Sequence, residues 1–155
     1  MNKLKNNLSL LGKNCAGKTT LIKMLIGEIN STKGKVFIDG FDLYHNFASA
    51  RQSLGYCPQF DYLPEYLTVQ QCFELFADLR GLTVETIPNV LDDLIKVFTL
   101  EEHRHKLINN LSGGCKRKIS AALAFLGRPK LVILDEVGNF YIEFLMSLFY
   151  LYFFK

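Results

Sequence analysis

Residues 12–19 read Gly-Lys-Asn-Cys-Ala-Gly-Lys-Thr, and no other stretch restricts what this chain folds into as strongly. The pattern is G-x-x-x-x-G-K-[ST]. A short apolar run at residues 8–11 precedes it, and Leu21, Leu25 and Ile29 follow at four-residue intervals along one helical face. The spacing predicts a strand, a loop and a helix over residues 17–29. In such a loop Gly12 and Gly17 let the backbone wrap closely, so that successive N–H groups face phosphate oxygens, and the helix start adds a potential that favours an anion. Lys18 then reaches the β and γ phosphates of a nucleoside triphosphate, and Thr19 offers its hydroxyl to Mg²⁺. Asn14, Cys15, Ala16 and Thr20 complete the predicted nucleotide-contacting run. Without its flanks the motif would be a glycine turn before a helix; the strand before and the helix after favour a phosphate loop.

A second run, Leu131-Val132-Ile133-Leu134-Asp135-Glu136, reads as a buried strand that delivers two carboxylates at its carboxyl end, where open α/β sheets place their ligands. Alone it is weak, because many buried strands end in acids where they emerge into water. A phosphate loop requires a carboxylate associated with Mg²⁺, and Asp135 is the best-placed candidate. Glu136 then orients or deprotonates the attacking water.

Between these motifs lie strand candidates at residues 36–38 and 53–57, the second stopped by Pro58. A mostly helical section follows. Thr68 and Gln71 form a capping box ahead of Val69, Cys72, Phe73, Phe76 and Leu79, which keep helical spacing up to Gly81. Residues 87–98 form another amphipathic segment. Ser112 caps a helix through Leu126 whose apolar side holds Ile119, Ala122, Leu123 and Leu126. By local physics alone, Leu111-Ser112-Gly113-Gly114 is a loop ending in that cap. Its hydroxyl and bare amides also make a second possible anion site.

With 49% hydrophobic and 21% charged residues in 155, the chain suits one globular domain. The net charge of +3 is dispersed, and its densest basic run is Lys116, Arg117 and Lys118, which argues against a nucleic-acid footprint. Cysteines 15, 57, 72 and 115 show no metal-ligand spacing and are expected as reduced thiols.

The phosphate loop, Gln59, LSGG and LDE stand in the order and approximate spacing of ABC-transporter nucleotide-binding domains, which the chain resembles over roughly residues 8–136. The stretches Gly55-Tyr56-Cys57-Pro58-Gln59-Phe60-Asp61, Gly114-Cys115-Lys116-Arg117-Lys118 and Gly127-Arg128-Pro129 look most like the A subfamily, associated with lipid export. The resemblance implies an α/β P-loop NTPase core of ABC type, incomplete, with a helical subdomain over roughly residues 66–115 and domain limits at 1–136. It implies that Gln59 touches Mg²⁺ or the attacking water and links the ATPase core to the membrane domain. It also implies that Ser112, Gly113 and Gly114 bind the γ-phosphate of ATP held by a second nucleotide-binding domain. The expected ligands are ATP and Mg²⁺. The expected partners are that second domain, in a head-to-tail sandwich, and the transmembrane domains of a transporter, at the cytoplasmic face of a membrane.

Several positions depart from the family pattern. Cys15 stands where glycine is usual, and Cys115 where a polar residue is usual. Two earlier strands and an adenine-stacking aromatic are expected ahead of Gly12, yet only eleven residues precede it. A D-loop and a switch histidine are expected after Glu136, yet no histidine follows His105. Residues 137–155 form an apolar, aromatic-rich tail unlike the family; within it only Glu143 is charged between Phe140 and Phe154, and those fifteen residues fall short of the roughly 20 that span a bilayer. Valine codons begin with GT, as introns do, so the change at Val137 fits translation through a splice donor. Weak ATP binding and little turnover are the expectation for the chain by itself. The alternatives are a non-catalytic nucleotide-binding remnant that acts as an interaction partner, and a soluble ABC-type ATPase with no transport role.

Overall fold

Glycine geometry sets the first helix. The computed structural model describes Leu10, Lys13 and residues 15–135, so the strand expected at residues 8–11 and the tail after Asp135 lie outside the described residues, Leu10 apart. Helix α1 (Lys18–Leu25) starts at Gly17, whose φ of 85° is left-handed. It ends earlier than residues 17–29 predict. Gly27, at φ 78°, turns the chain so that its own N–H bonds Met24 O and the N–H of Glu28 bonds Lys23 O, the paired bonds of a Schellman stop. The buried position is therefore Ile22, while Leu21 and Ile29 of the predicted apolar face are exposed.

A short antiparallel hairpin follows, β1 (Phe37–Ile38) with β2 (Phe41–Asp42), turned at Asp39 and Gly40. Beyond it Asp42 Oδ1 accepts from the N–H groups of Tyr44 and His45 at 2.9 and 3.2 Å. The Tyr44 amide first, and the His45 side chain second, hold the Asp42 carboxyl below its ordinary range. Helix α2 (Phe47–Gln52), which no sequence pattern signalled, leads into β3 (Leu54–Cys57). Ile38, Leu43, Ala50 and Leu54 form a small core under this part.

Helix α3 (Val69–Leu79) begins as its capping box predicts: Thr68 Oγ1 accepts from the Gln71 N–H at 3.2 Å, and Gln71 Oε1 accepts from the Thr68 N–H at 2.9 Å. Gly81, at φ 75°, ends it. Helix α4 (Ile87–Val97) carries Pro88 in its first turn, where the missing N–H costs little. Two 3₁₀ turns, Glu101–His103 and Ile108–Asn110, lead to α5 (Gly113–Phe125), capped by Ser112 as expected. Phe73, Leu91, Leu94, Ile95, Leu100 and Ile119 are buried together between these helices and β3. Full burial of each such side chain contributes roughly 1.5–3 kcal/mol.

Strand β4 (Leu131–Leu134) matches its predicted bounds but is not the buried strand expected, with Leu131 exposed and the rest half-buried, because among the described residues only β3 flanks it; the two pair in parallel, Leu54 opposite Leu131 through Cys57 opposite Leu134. Parallel neighbours need a long crossover, and the helices from α3 to α5 supply it. Because the two strands run the same way, both leave the sheet at the same edge.

Candidate nucleotide site

The loop before α1 is shaped by two left-handed residues, Cys15 at φ 66° and Gly17 at φ 85°. Gly17 has no side chain with which to cap the helix, and the first turn contains no acid. The positive end of α1 thus keeps its affinity for an anion from outside the chain. Cys15, Ala16, Gly17, Lys18, Thr19 and Thr20 line an open hollow of about 180 Å³ at this point. Lys18 Nζ donates to Lys13 O at 3.0 Å, which folds the ammonium back over the loop. Of the predicted phosphate-binding residues, Gly12 and Asn14 lie outside the described residues; the other six are contiguous around one hollow.

The other predicted residues arrive by strand direction. Gln59, exposed, is two residues beyond the end of β3. Asp135 follows β4 directly, and its N–H extends the ladder by bonding Cys57 O at 2.9 Å. Parallel pairing brings both to the carboxyl edge of the β3/β4 pair. Burial first, and the Asp135 carboxylate next, push the Tyr56 phenol above its ordinary range. Glu136 lies outside the described residues. Ser112, Gly113 and Gly114 are exposed at a different helix start, that of α5, where Ser112 Oγ accepts from the Cys115 N–H at 3.2 Å. Ser112 is therefore a helix cap, whatever else it does.

The basic run at residues 116–118 has internal partners. Lys116 Nζ meets Glu65 at 3.1 Å and Lys118 Nζ meets Thr99 Oγ1 at 2.8 Å. Arg117, only 13% exposed, joins Asp61 at 3.0 Å and also donates to the main-chain oxygens of Pro58 and Asp135. In the sequence Arg117 reads as one member of a charge run. Its spacing of three, four and seven residues from the buried Ser120, Ala121 and Ala124 was the available signal that it faces inward.

Among the described residues no three His, Cys, Asp or Glu side chains cluster around a metal position. Thr19, Gln59 and Asp135 offer oxygen donors in small number, which suits Mg²⁺, an ion that binds one or two protein groups and takes its other ligands from phosphate and water. All four cysteines are free thiols, Cys15 exposed and Cys57 and Cys72 buried.

A phosphate-binding loop opening a helix, with an amide and a carboxylate at the shared edge of parallel strands, defines a P-loop nucleotide-binding α/β domain. The family model described as ABC transporter matches residues 3–139, and the chain belongs to that family. It is 41% identical over 127 residues to the Phospholipid-transporting ATPase ABCA3 of Rattus norvegicus, an alignment covering 82% of this chain and 8% of that protein. It is 44% identical over 127 residues to the Retinal-specific phospholipid-transporting ATPase ABCA4 of Homo sapiens, covering 82% of this chain and 6% of that protein. Among solved structures, an ATP-binding subunit of an ABC transporter superposes with a TM-score of 0.79 at 30% identity, over 90% of this chain and 60% of that one. The chain thus spans less than a tenth of either curated relative.

Proposed function

We propose that the chain is the ATP-binding part of an ABC transporter of the A subfamily, in which ATP hydrolysis drives the movement of a lipid across a membrane. The observation that carries this reading is the uncapped, acid-free start of α1 behind the hollow formed by Cys15 to Thr20. Residues 1–136 form the nucleotide-binding unit, with residues 66–115 as its helical subdomain and residues 137–155 outside it. Gly12, Asn14 and the residues from Cys15 to Thr20 hold the triphosphate, with Lys18 leaving Lys13 O for the β and γ phosphates. Thr19, Gln59 and Asp135 would hold Mg²⁺, which would supply positive charge against the phosphate oxygens. Gln59 orients the attacking water and Glu136 accepts its proton as the water oxygen bonds the γ-phosphorus and the bond from that phosphorus to the β-phosphate oxygen breaks, releasing ADP and phosphate.

Exposure of Ser112, Gly113 and Gly114 at the head of α5 supports their use in trans, against the γ-phosphate of ATP bound by a second nucleotide-binding domain. Hydrolysis then belongs to a head-to-tail pair, docked on transmembrane domains at the cytoplasmic face. Among the described residues no helix is long and apolar enough to cross a membrane. The chain on its own binds ATP weakly and turns it over slowly, because its signature serves another domain's nucleotide and Cys15 occupies a left-handed position.

Titration with a fluorescent ATP analogue, with Mg²⁺ and then with EDTA, tests the reading. Saturable binding that Mg²⁺ strengthens and Lys18→Ala weakens at least about tenfold, equivalent to roughly 1.4 kcal/mol, is the expected result. Equal binding by the two proteins would overturn it. Robust Lys18-dependent hydrolysis by the chain alone would overturn the statement about turnover.

A further inference from the structure

Arg117 joins two chain segments that the sequence keeps far apart. Its guanidinium Nη1 donates to Pro58 O and to Asp61 Oδ1, the latter at 3.0 Å, and Nη2 donates to Asp135 O at 2.7 Å. Pro58 O belongs to the peptide bond that leads into Gln59, and Asp135 O to the one that leads into Glu136. One side chain on α5, four residues beyond the first residue of that helix, therefore grips the backbone at both strand exits that carry proposed functional groups. Asp61, 20% exposed, balances the charge of a guanidinium that is 13% exposed. A guanidinium holds its N–H donors in a rigid planar fork that reaches acceptors on two segments at once; a lysine ammonium has three donors, but they radiate from one point on a flexible stem.

We propose that Arg117 is a positioning residue for the nucleotide site. It locks the segment bearing Gln59 to the end of β4 and so fixes the spacing of the oxygen donors around Mg²⁺. The proposal rests on the nucleotide reading above. Residues that orient metal ligands from behind act on metal affinity, and their loss typically costs ten- to a hundred-fold, roughly. The hollow at Cys15 to Thr20 is built at the start of α1, whereas Arg117 stands on α5, so phosphate binding without metal is not expected to depend on it.

The full chain, Arg117→Lys, Arg117→Ala and Asp61→Asn are compared by three measurements: urea unfolding, affinity for the fluorescent ATP analogue in EDTA, and the Mg²⁺ concentration that half-saturates the enhancement of that binding. Arg117→Lys is expected to raise the Mg²⁺ half-saturation point roughly tenfold with EDTA affinity unchanged. Asp61→Asn shifts it the same way by less. A folded Arg117→Lys protein with unaltered Mg²⁺ dependence overturns the proposal. Parallel weakening in EDTA and in Mg²⁺ also overturns it, because that pattern marks a purely structural tie. If Arg117→Ala does not fold, the lysine and Asp61→Asn variants decide. A wild-type chain that binds no nucleotide overturns the nucleotide reading and this proposal together, and binding without the Arg117 effect overturns this proposal alone.

Discussion

Gly55 of β3 passes so close to α5 that a Cβ on it would lie 1.8 Å from the carbonyl oxygen of Ala124. The obstacle is backbone, which no rotamer change relieves. Gly55→Ala is expected to lower the unfolding free energy by about 1–3 kcal/mol, or to prevent folding. Gly113→Ala, where a Cβ meets nothing within 4 Å, is neutral or stabilising in the same urea titration. Equal loss at both glycines would show that β3 and α5 are not packed this closely.

Cys15 holds φ 66°, a conformation in which an L side chain is strained by roughly 1–2 kcal/mol. Glycine removes the strain but adds about 0.5–1 kcal/mol of unfolded-chain entropy. Cys15→Gly should therefore stabilise only slightly, while the relaxed loop binds the ATP analogue more tightly. Weaker binding in a fluorescence titration would show that the thiol itself contributes a contact.

Thiol reactivity reports the same loop. Cys15 is exposed, Cys115 partly so, and Cys57 and Cys72 are buried. Burial pushes the Cys57 thiol up, and the Cys72 thiol up to about 12. With a chromogenic disulfide reagent, Cys15 reacts first and is protected by nucleotide, Cys115 follows, and the buried pair reacts only on unfolding. Sign follows from linkage: a raised folded pKa stabilises fully below the unfolded thiol value. That contribution is lost as pH rises through the folded value, so stability should fall from about pH 8.5 towards 12.

Ser112 combines a structural and a proposed functional role. Ser112→Ala removes the acceptor for the Cys115 N–H and should cost about 1 kcal/mol of stability. Ser112→Asn keeps a capping oxygen and should restore stability, yet it should still impair ATP-dependent pairing of two nucleotide-binding domains. Light scattering with ATP and Mg²⁺ checks this; normal pairing by Ser112→Asn would leave Ser112 a cap and nothing more.

Features carried by adjacent residues were legible in the sequence. The capping box of Thr68 and Gln71 and the Ser112 cap depend on side chains reaching backbone a few residues away, the bounds of β4 on a short apolar run, and the loop before α1 on glycine's backbone freedom, so local spacing encodes them all. Apolar periodicity extends the expected first helix to Ile29, whereas the left-handed turn at Gly27 ends α1 at Leu25. α2, of six residues, is too short to show a period.

The sequence by itself determined that a glycine-rich loop opens a helix, where the P-loop pattern stands, and where the capped helices begin. Tertiary structure alone decided that β3 and β4 are parallel neighbours, so that Gln59 and Asp135 leave by one edge, and that Arg117 grips the backbone beside both. Strand order and a buried guanidinium's acceptors are set by packing between segments far apart in the chain, and such long-range pairing leaves no local spacing to read.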